Sequence, residues 1–240
     1  EVLLYLYQKY GIEFLKKIKG MFSIFISDEG KNKVYLIRDR FGIKPLYFSY
    51  NSLLKELTFC SEIPGIFINK NIKKEQNFFE TYRYLALGLT NATQETWFKN
   101  VYQIKPSTYL EFSKNGLKDV QYYKLEENIN EEKKESKKLF FNYISKINEK
   151  IENSFSQHTV FDVKGGIHQS GGTDSTLLVA LSKSQGKNFD TFTFDFEHEQ
   201  FSERESAASL ATNYKLKNYS VKLLDSELID YLNKVVEIQY

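Results

Sequence analysis

Apolar positions along the chain change their spacing partway. In the first half they come in short bursts. Residues 20–27, Gly-Met-Phe-Ser-Ile-Phe-Ile-Ser, are apolar and aromatic on one side, which is the pattern of a strand. Asp28-Glu29-Gly30-Lys31-Asn32 has turn chemistry, and Val34-Tyr35-Leu36-Ile37 reads as the return strand of a hairpin. Residues 46–50 and 57–60 are expected to continue a meander. Residues 101–110 and 117–123 add two extended stretches, the first broken by Pro106. Two short helices are expected before this region, beginning at Val2, and residues 78–87 read as a further helix.

From Leu139 the spacing becomes helical. Phe140, Tyr143, Ile144, Ile147 and Ile151 recur at i, i+3 and i+4, which predicts a helix through Phe155. Strands and helices then alternate: a short strand before residue 170, a helix after it, strands at 191–196 and 219–223, and a helix at 201–214. Ser202 is the expected cap of that helix, with Glu205 three residues on. Alternation of this kind implies a parallel sheet with right-handed crossovers. Residues 126–138, rich in Glu, Lys and Asn, read as a linker or as the start of a solvated helix. The expected class is therefore α+β followed by α/β, with boundaries at 1–125, 126–138 and 139–240.

Composition narrows the function. A length of 240 residues accommodates one large domain or two ordinary ones, and 41% hydrophobic residues can build their cores. A net charge of +2 lacks the basic excess of a dedicated nucleic-acid binder. No apolar run approaches the ~20 residues of a membrane helix. Cys60 is the single cysteine, so no internal disulfide can form, and a reducing cytoplasm is the expected compartment. No signal peptide is visible. The chain opens at Glu1 on a helical pattern and closes at Tyr240 within another, so a piece of a longer protein is expected.

The richest chemistry lies in Ser170-Gly171-Gly172-Thr173-Asp174-Ser175. Between a strand and a helix, two glycines let the backbone approach an anion. The N–H groups and dipole of the helix start favour negative charge. Ser170 and Ser175 add hydroxyl donors, and Asp174 would act through a cation such as Mg²⁺. The same residues also suit a plain turn with a helix cap. No Lys follows the glycines and no G-x-G-x-x-G spacing occurs, so neither common phosphate-loop pattern applies. The run resembles the SGGxDS loop of the PP-loop ATP pyrophosphatases, which split ATP between the α and β phosphates.

A second signature is Arg38-Asp39-Arg40-Phe41-Gly42-Ile43-Lys44-Pro45-Leu46-Tyr47-Phe48. Alone it reads as structural: Arg and Asp form a paired turn, Gly42 relaxes the backbone and Pro45 opens the next strand. Together with Gly20-Met21-Phe22-Ser23-Ile24, Cys60-Ser61-Glu62-Ile63 and the SGGTDS loop downstream, it resembles the glutamine-dependent asparagine synthetases over nearly the whole chain.

The resemblance implies the end of an N-terminal-nucleophile hydrolase sandwich followed by a partial, Rossmann-like PP-loop domain. It implies small-molecule substrates (glutamine, aspartate and ATP), Mg²⁺, and a homodimer as one assembly. No nucleic acid or membrane partner is implied. Ser170, Gly171, Gly172, Asp174 and Ser175 match the ATP phosphate loop, with Asp174 the candidate metal contact. His168 falls at an adenosine contact or merely fills a strand position, and Phe194 falls where the family touches adenine through its backbone. Asp195 falls near the nucleotide or serves as a strand-end cap. The family's nucleophilic Cys and its glutamine-holding residues would lie upstream of Glu1. Cys60 matches an Ala of the family and reads as a small buried residue. Three functions stay open: asparagine synthesis, amidation of another carboxylate such as a surface-polysaccharide sugar, and nucleotide binding without catalysis.

Overall fold

A computed structural model of the chain describes residues 1–90, 92–125, 137–197 and 202–239. It is mixed α/β and divides into two compact units, one over Glu1–Asn130 with Ile238–Tyr240 and one over Glu131–Glu237.

The first unit starts with helix α1 (Val2–Tyr10) and a 3-10 turn at Gly11–Lys16. Strands β1 (Ser23–Asp28) and β2 (Lys33–Arg38) form the expected antiparallel hairpin. The Asp28 carboxylate accepts the Lys31 N–H, and Asn32 takes a left-handed φ of 50°. Asx side chains favour such turns for both reasons.

The meander expected after the hairpin forms only in part: residues 47–51 and 56–60 pair antiparallel with each other, but not with β2. β2 pairs instead with β6 (Thr108–Ser113), which pairs with β7 (Gly116–Gln121). β3 (Tyr47–Asn51), β4 (Glu56–Cys60) and β5 (Tyr102–Gln103) build a separate antiparallel sheet. The cause is the turn after β2. The Asp39 carboxylate gathers the N–H groups of Phe41, Ile43 and Lys44, and Gly42 bends the chain at φ 65°. β3 therefore leaves the first sheet. Leu36 and Leu110 of one sheet and Phe48 of the other share a single buried cluster with Leu46, just before β3, and Ile104. Tyr35 and Ile37, on the opposite face of β2, pack on Phe14, Leu15 and Ile26. Both faces of β2 are covered, which is why its sequence is apolar without alternation. α2 (Ile63–Ile66), absent from the sequence reading, buries Ile63 and Ile66, and α3 (Phe78–Leu87) forms as expected.

The second unit runs α4 (Lys137–His158), β8 (Gly166–His168), α5 (Thr173–Ser184), β9 (Asp190–Phe196), α6 (Arg204–Asn213), β10 (Asn218–Leu223) and α7 (Asp225–Gln239). Its sheet, ordered β10-β9-β8, is parallel throughout, as alternation predicts. Most of the expected linker, residues 126–136, lies outside the described residues, and residues 137–138 belong to α4. α6 starts later than expected, with Glu203 rather than Ser202 at its N-cap. The Ser202 hydroxyl donates to Asp195 (2.6 Å) and also accepts the Arg204 N–H (3.4 Å), so it meets the helix start from one residue outside the N-cap. Among the described residues no helix is long and apolar enough to cross a membrane.

Candidate functional site

The loop after β8 is shaped by its glycines and serines. Gln169 N–H donates to Phe192 O (2.7 Å), carrying the ladder one residue past the strand. Gly171 then takes φ 77°, and a Cβ there would lie 3.0 Å from Ser206 Oγ on α6. Both the backbone angle and the close approach favour glycine. Gly172 is the N-cap of α5. The Ser175 hydroxyl donates to Gly172 O (3.1 Å) and accepts the Ser170 N–H (3.2 Å), and the two serine hydroxyls face each other at 3.2 Å. The serines thus brace the loop from inside. The N–H groups of Thr173, Asp174 and Ser175 occupy the first helical turn, with no carbonyl behind them, at the positive end of the helix dipole. This is the arrangement that receives an anion.

His168 and Phe194 come together. Their rings lie 5.5 Å apart, tilted by 40°, and both are exposed on one face of the sheet. Phe192 and Tyr219 stack nearby at 5.3 Å. Successive side chains alternate across a strand, so Gln169 points to the other face. It is 0% exposed, and neither its Oε1 nor its Nε2 has a partner. Asp195, also buried, accepts from Ser202 Oγ at 2.6 Å and lies 4.0 Å from Arg204 Nη1. It fastens the segment entering α6, the strand-end role weighed from the sequence.

The donor set for a metal is small. Asp174 is exposed in the first turn of α5 and Asp195 is committed to Ser202. No cluster of three metal-ligating side chains occurs among the described residues. A single free carboxylate suits Mg²⁺ carried in on phosphates, which needs one or two carboxylates and no protein cage. Two contributors were missed in the sequence. Ser206 carries no motif, and the burial of Gln169 follows from strand parity only once the strand's buried face is known.

The second signature is a brace. Arg38, 8% exposed, donates Nε–H to Lys44 O (3.0 Å), Nη1–H to Ile104 O (2.5 Å) and Gln103 Oε1 (3.2 Å), and Nη2–H to Gly42 O (2.7 Å). Asp39, 0% exposed, accepts four backbone N–H groups, from Phe22, Phe41, Ile43 and Lys44. The expected Arg38–Asp39 pair is corrected. Neighbours on an extended chain point to opposite sides, so each ties the 41–44 turn from its own side. Burial works against ionisation of Asp39, yet its backbone donors together hold the carboxyl below the usual range. Burial also lowers the pKa of Arg38. Tyr122 donates to Arg38 O (2.9 Å), and burial first of all pushes its hydroxyl up to about 12. Cys60 packs on α2 beside Ile63, Ile66 and Val101, and a Cβ on Gly65 would overlap its sulfur. It is packed as expected but half-buried rather than buried.

Comparison with known proteins agrees with this layout. The family described as "Glutamine amidotransferase domain" matches residues 1–123, and the family described as "Asparagine synthase" matches residues 146–239. Asparagine synthetase [glutamine-hydrolyzing] 2 of Bacillus subtilis is 34% identical over 199 residues, covering 80% of this chain and 26% of its own length. Asparagine synthetase [glutamine-hydrolyzing] 1 of the same organism is 29% identical over 245 residues, covering 98% and 36%. A putative asparagine synthetase [glutamine-hydrolyzing] 2 of Methanocaldococcus jannaschii is 30% identical over 208 residues, covering 82% and 38%. The chain thus spans well under half the length of these relatives. A brace that fixes the first unit, a glycine loop that opens α5 in the second, and two family matches in the same order give one conclusion: the chain belongs to the glutamine amidotransferase domain family, with that domain followed by a segment similar to asparagine synthase.

Proposed function

We propose that the full-length protein carrying this chain is an ATP-dependent ligase that amidates aspartate with ammonia drawn from glutamine. A carboxylate resists nucleophiles, so its oxygen must first gain a leaving group. The aspartate side-chain carboxylate attacks the α phosphate of ATP, pyrophosphate leaves, and ammonia then displaces AMP from the β-aspartyl-adenylate to give asparagine. In this reading residues 1–125 belong to a glutaminase of the N-terminal-nucleophile type and residues 139–240 to a PP-loop domain, joined by residues 126–138. The observation that carries the reading is the start of α5: free first-turn amides framed by Ser170 and Ser175, beside the exposed pair His168 and Phe194.

Each residue has a role. The amides of Thr173, Asp174 and Ser175 bind phosphate oxygens. Gly171 and Gly172 let those oxygens approach. His168 and Phe194 offer ring faces to the adenosine. Asp174 would hold Mg²⁺ together with the phosphates, where the metal would supply positive charge against that of departing pyrophosphate.

The test supplies the full-length protein with ATP, Mg²⁺, glutamine and either aspartate or a uronic acid, and follows pyrophosphate and amide product. Aspartate-dependent pyrophosphate release supports the reading. Release that depends on the uronic acid alone makes the protein an amidotransferase of sugar carboxylates. ATP binding that survives Asp174→Ala, without turnover on any carboxylate, makes the loop a non-catalytic nucleotide module.

A further inference from the structure

β3 and β4 have two unlike faces. Leu46, Phe48, Tyr50 and Leu57 turn toward the buried cluster of the first unit. On the other face Tyr47 and Cys60 pack beside α2, and beyond them the register Ser49↔Thr58 and Asn51↔Glu56 leaves a polar patch. That patch is the floor of a cavity of about 350 Å³. Its wall is the segment after α2, held by Asn69, whose Nδ2 donates to Glu56 Oε1 (2.6 Å) and Thr58 Oγ1 (2.8 Å). Leu53 and Ile72 give it an apolar edge.

The side chains on the floor are not used up by these bonds. Ser49 is 7% exposed, and among the described residues its hydroxyl has no partner. Asn51 spends its Oδ1 on Leu53 N–H and Leu54 N–H, both at 3.1 Å, which leaves its amide donor free. A nearly buried hydroxyl gains when a ligand supplies its missing partner. Charge is close to balanced: Glu75 lies 3.8 Å from Lys99, leaving Glu56 and Lys73 as the remaining charges of the lining. Neutral ligands are favoured over strong anions.

We propose that this cavity binds a neutral polyhydroxylated molecule of monosaccharide size. Sugar hydroxyls both donate and accept, which matches a free hydroxyl, a free amide donor and a carboxylate acceptor on one floor. The volume is at the small end of ligand pockets, about 300–1,000 Å³. The apolar edge suits the C–H face of a pyranose ring. Free sugars and the terminal residue of a glycan share this chemistry.

Saturation-transfer NMR and calorimetry on the full-length protein would test it, with glucose, galactose and N-acetylglucosamine as free sugars, matching oligosaccharides, and glucuronate as the anionic control. Saturable binding of a neutral sugar is expected, weakened about 3–10-fold by Ser49→Ala, as the loss of one hydrogen bond predicts. Glucuronate should bind more weakly, and Glu56→Gln should narrow that gap. Tighter binding of the oligosaccharide assigns the site to glycan ends, and equal binding to free sugars. An unchanged unfolding midpoint shows that Ser49→Ala is folded. Absence of saturable binding by every sugar, or affinity unchanged in both variants, overturns the proposal. The proposal stands apart from the ATP reading, since no residue of the SGGTDS loop takes part.

Discussion

Gln169 offers the sharpest test of the loop's energetics. Its carboxamide is fully enclosed, and neither Oε1 nor Nε2 meets a partner. Replacing it with leucine removes a buried amide and keeps a side chain of similar size. A buried amide without hydrogen bonds costs about 1–3 kcal/mol. The change of shape costs up to about 1.5 kcal/mol. Gln169→Leu is therefore expected to stabilise the second unit by about 1–2 kcal/mol, which raises the melting midpoint of a cooperative unit of roughly 100 residues by about 4–8 °C per kcal/mol. Urea unfolding followed by circular dichroism would measure the gain as a higher midpoint at an unchanged slope. Gln169→Glu, which buries a charge in the same place, should be destabilising. An unchanged or lowered midpoint for Gln169→Leu would refute the reasoning, because the carboxamide would then be hydrogen-bonded in solution.

Other expectations follow from the brace and the loop. Asp39→Asn loses the charge that four N–H groups share and should destabilise the first unit by at least about 2 kcal/mol. Because the Asp39 pKa is lowered on folding, its contribution is full above the unfolded value near 4 and fades as pH falls through the lower folded value. Acid titration of unfolding should therefore show a shallower loss for Asp39→Asn than for the parent. Tyr122 behaves oppositely: with its pKa pushed up to about 12, its stabilisation is complete below about 10 and is lost above that, visible as a late phenolate absorbance step missing in Tyr122→Phe. Gly171→Ala should cost about 1–2 kcal/mol through its positive φ and the contact with Ser206. Gly172→Ala, with φ −74° and its nearest neighbour at 3.4 Å, should fold close to normally. Equal melting points for the two glycine variants would contradict this.

Much of the site was legible as short motifs. The SGGTDS run lies at the strand–helix junction where it was placed, because glycine, serine and aspartate act through local backbone geometry. His168 and Phe194 meet because parallel pairing sets β8 beside β9. The inward role of the serine hydroxyls was not legible, since a hydroxyl serves a ligand and its own backbone equally well. Nor was the grip of Asp39 on the 41–44 turn, which needs the folded chain.

The sequence alone determined the elements and their local chemistry: helices where apolar residues recur every three or four positions, strands in the bursts between, and a loop able to receive an anion. These depend on interactions within a few residues. Only the tertiary structure decided partners and faces. β2 joins β6 instead of β3, and Thr191, Thr193 and Asp195 of β9 are buried while Phe192, Phe194 and Phe196 are exposed. A period of two marks a strand and its two faces alike. Which face is covered depends on what packs against it, and here α6 lies over β9. Asn218 Oδ1 also accepts from Thr191 and Thr193, each at 3.1 Å, so the polar face is the one whose hydrogen bonds are met inside.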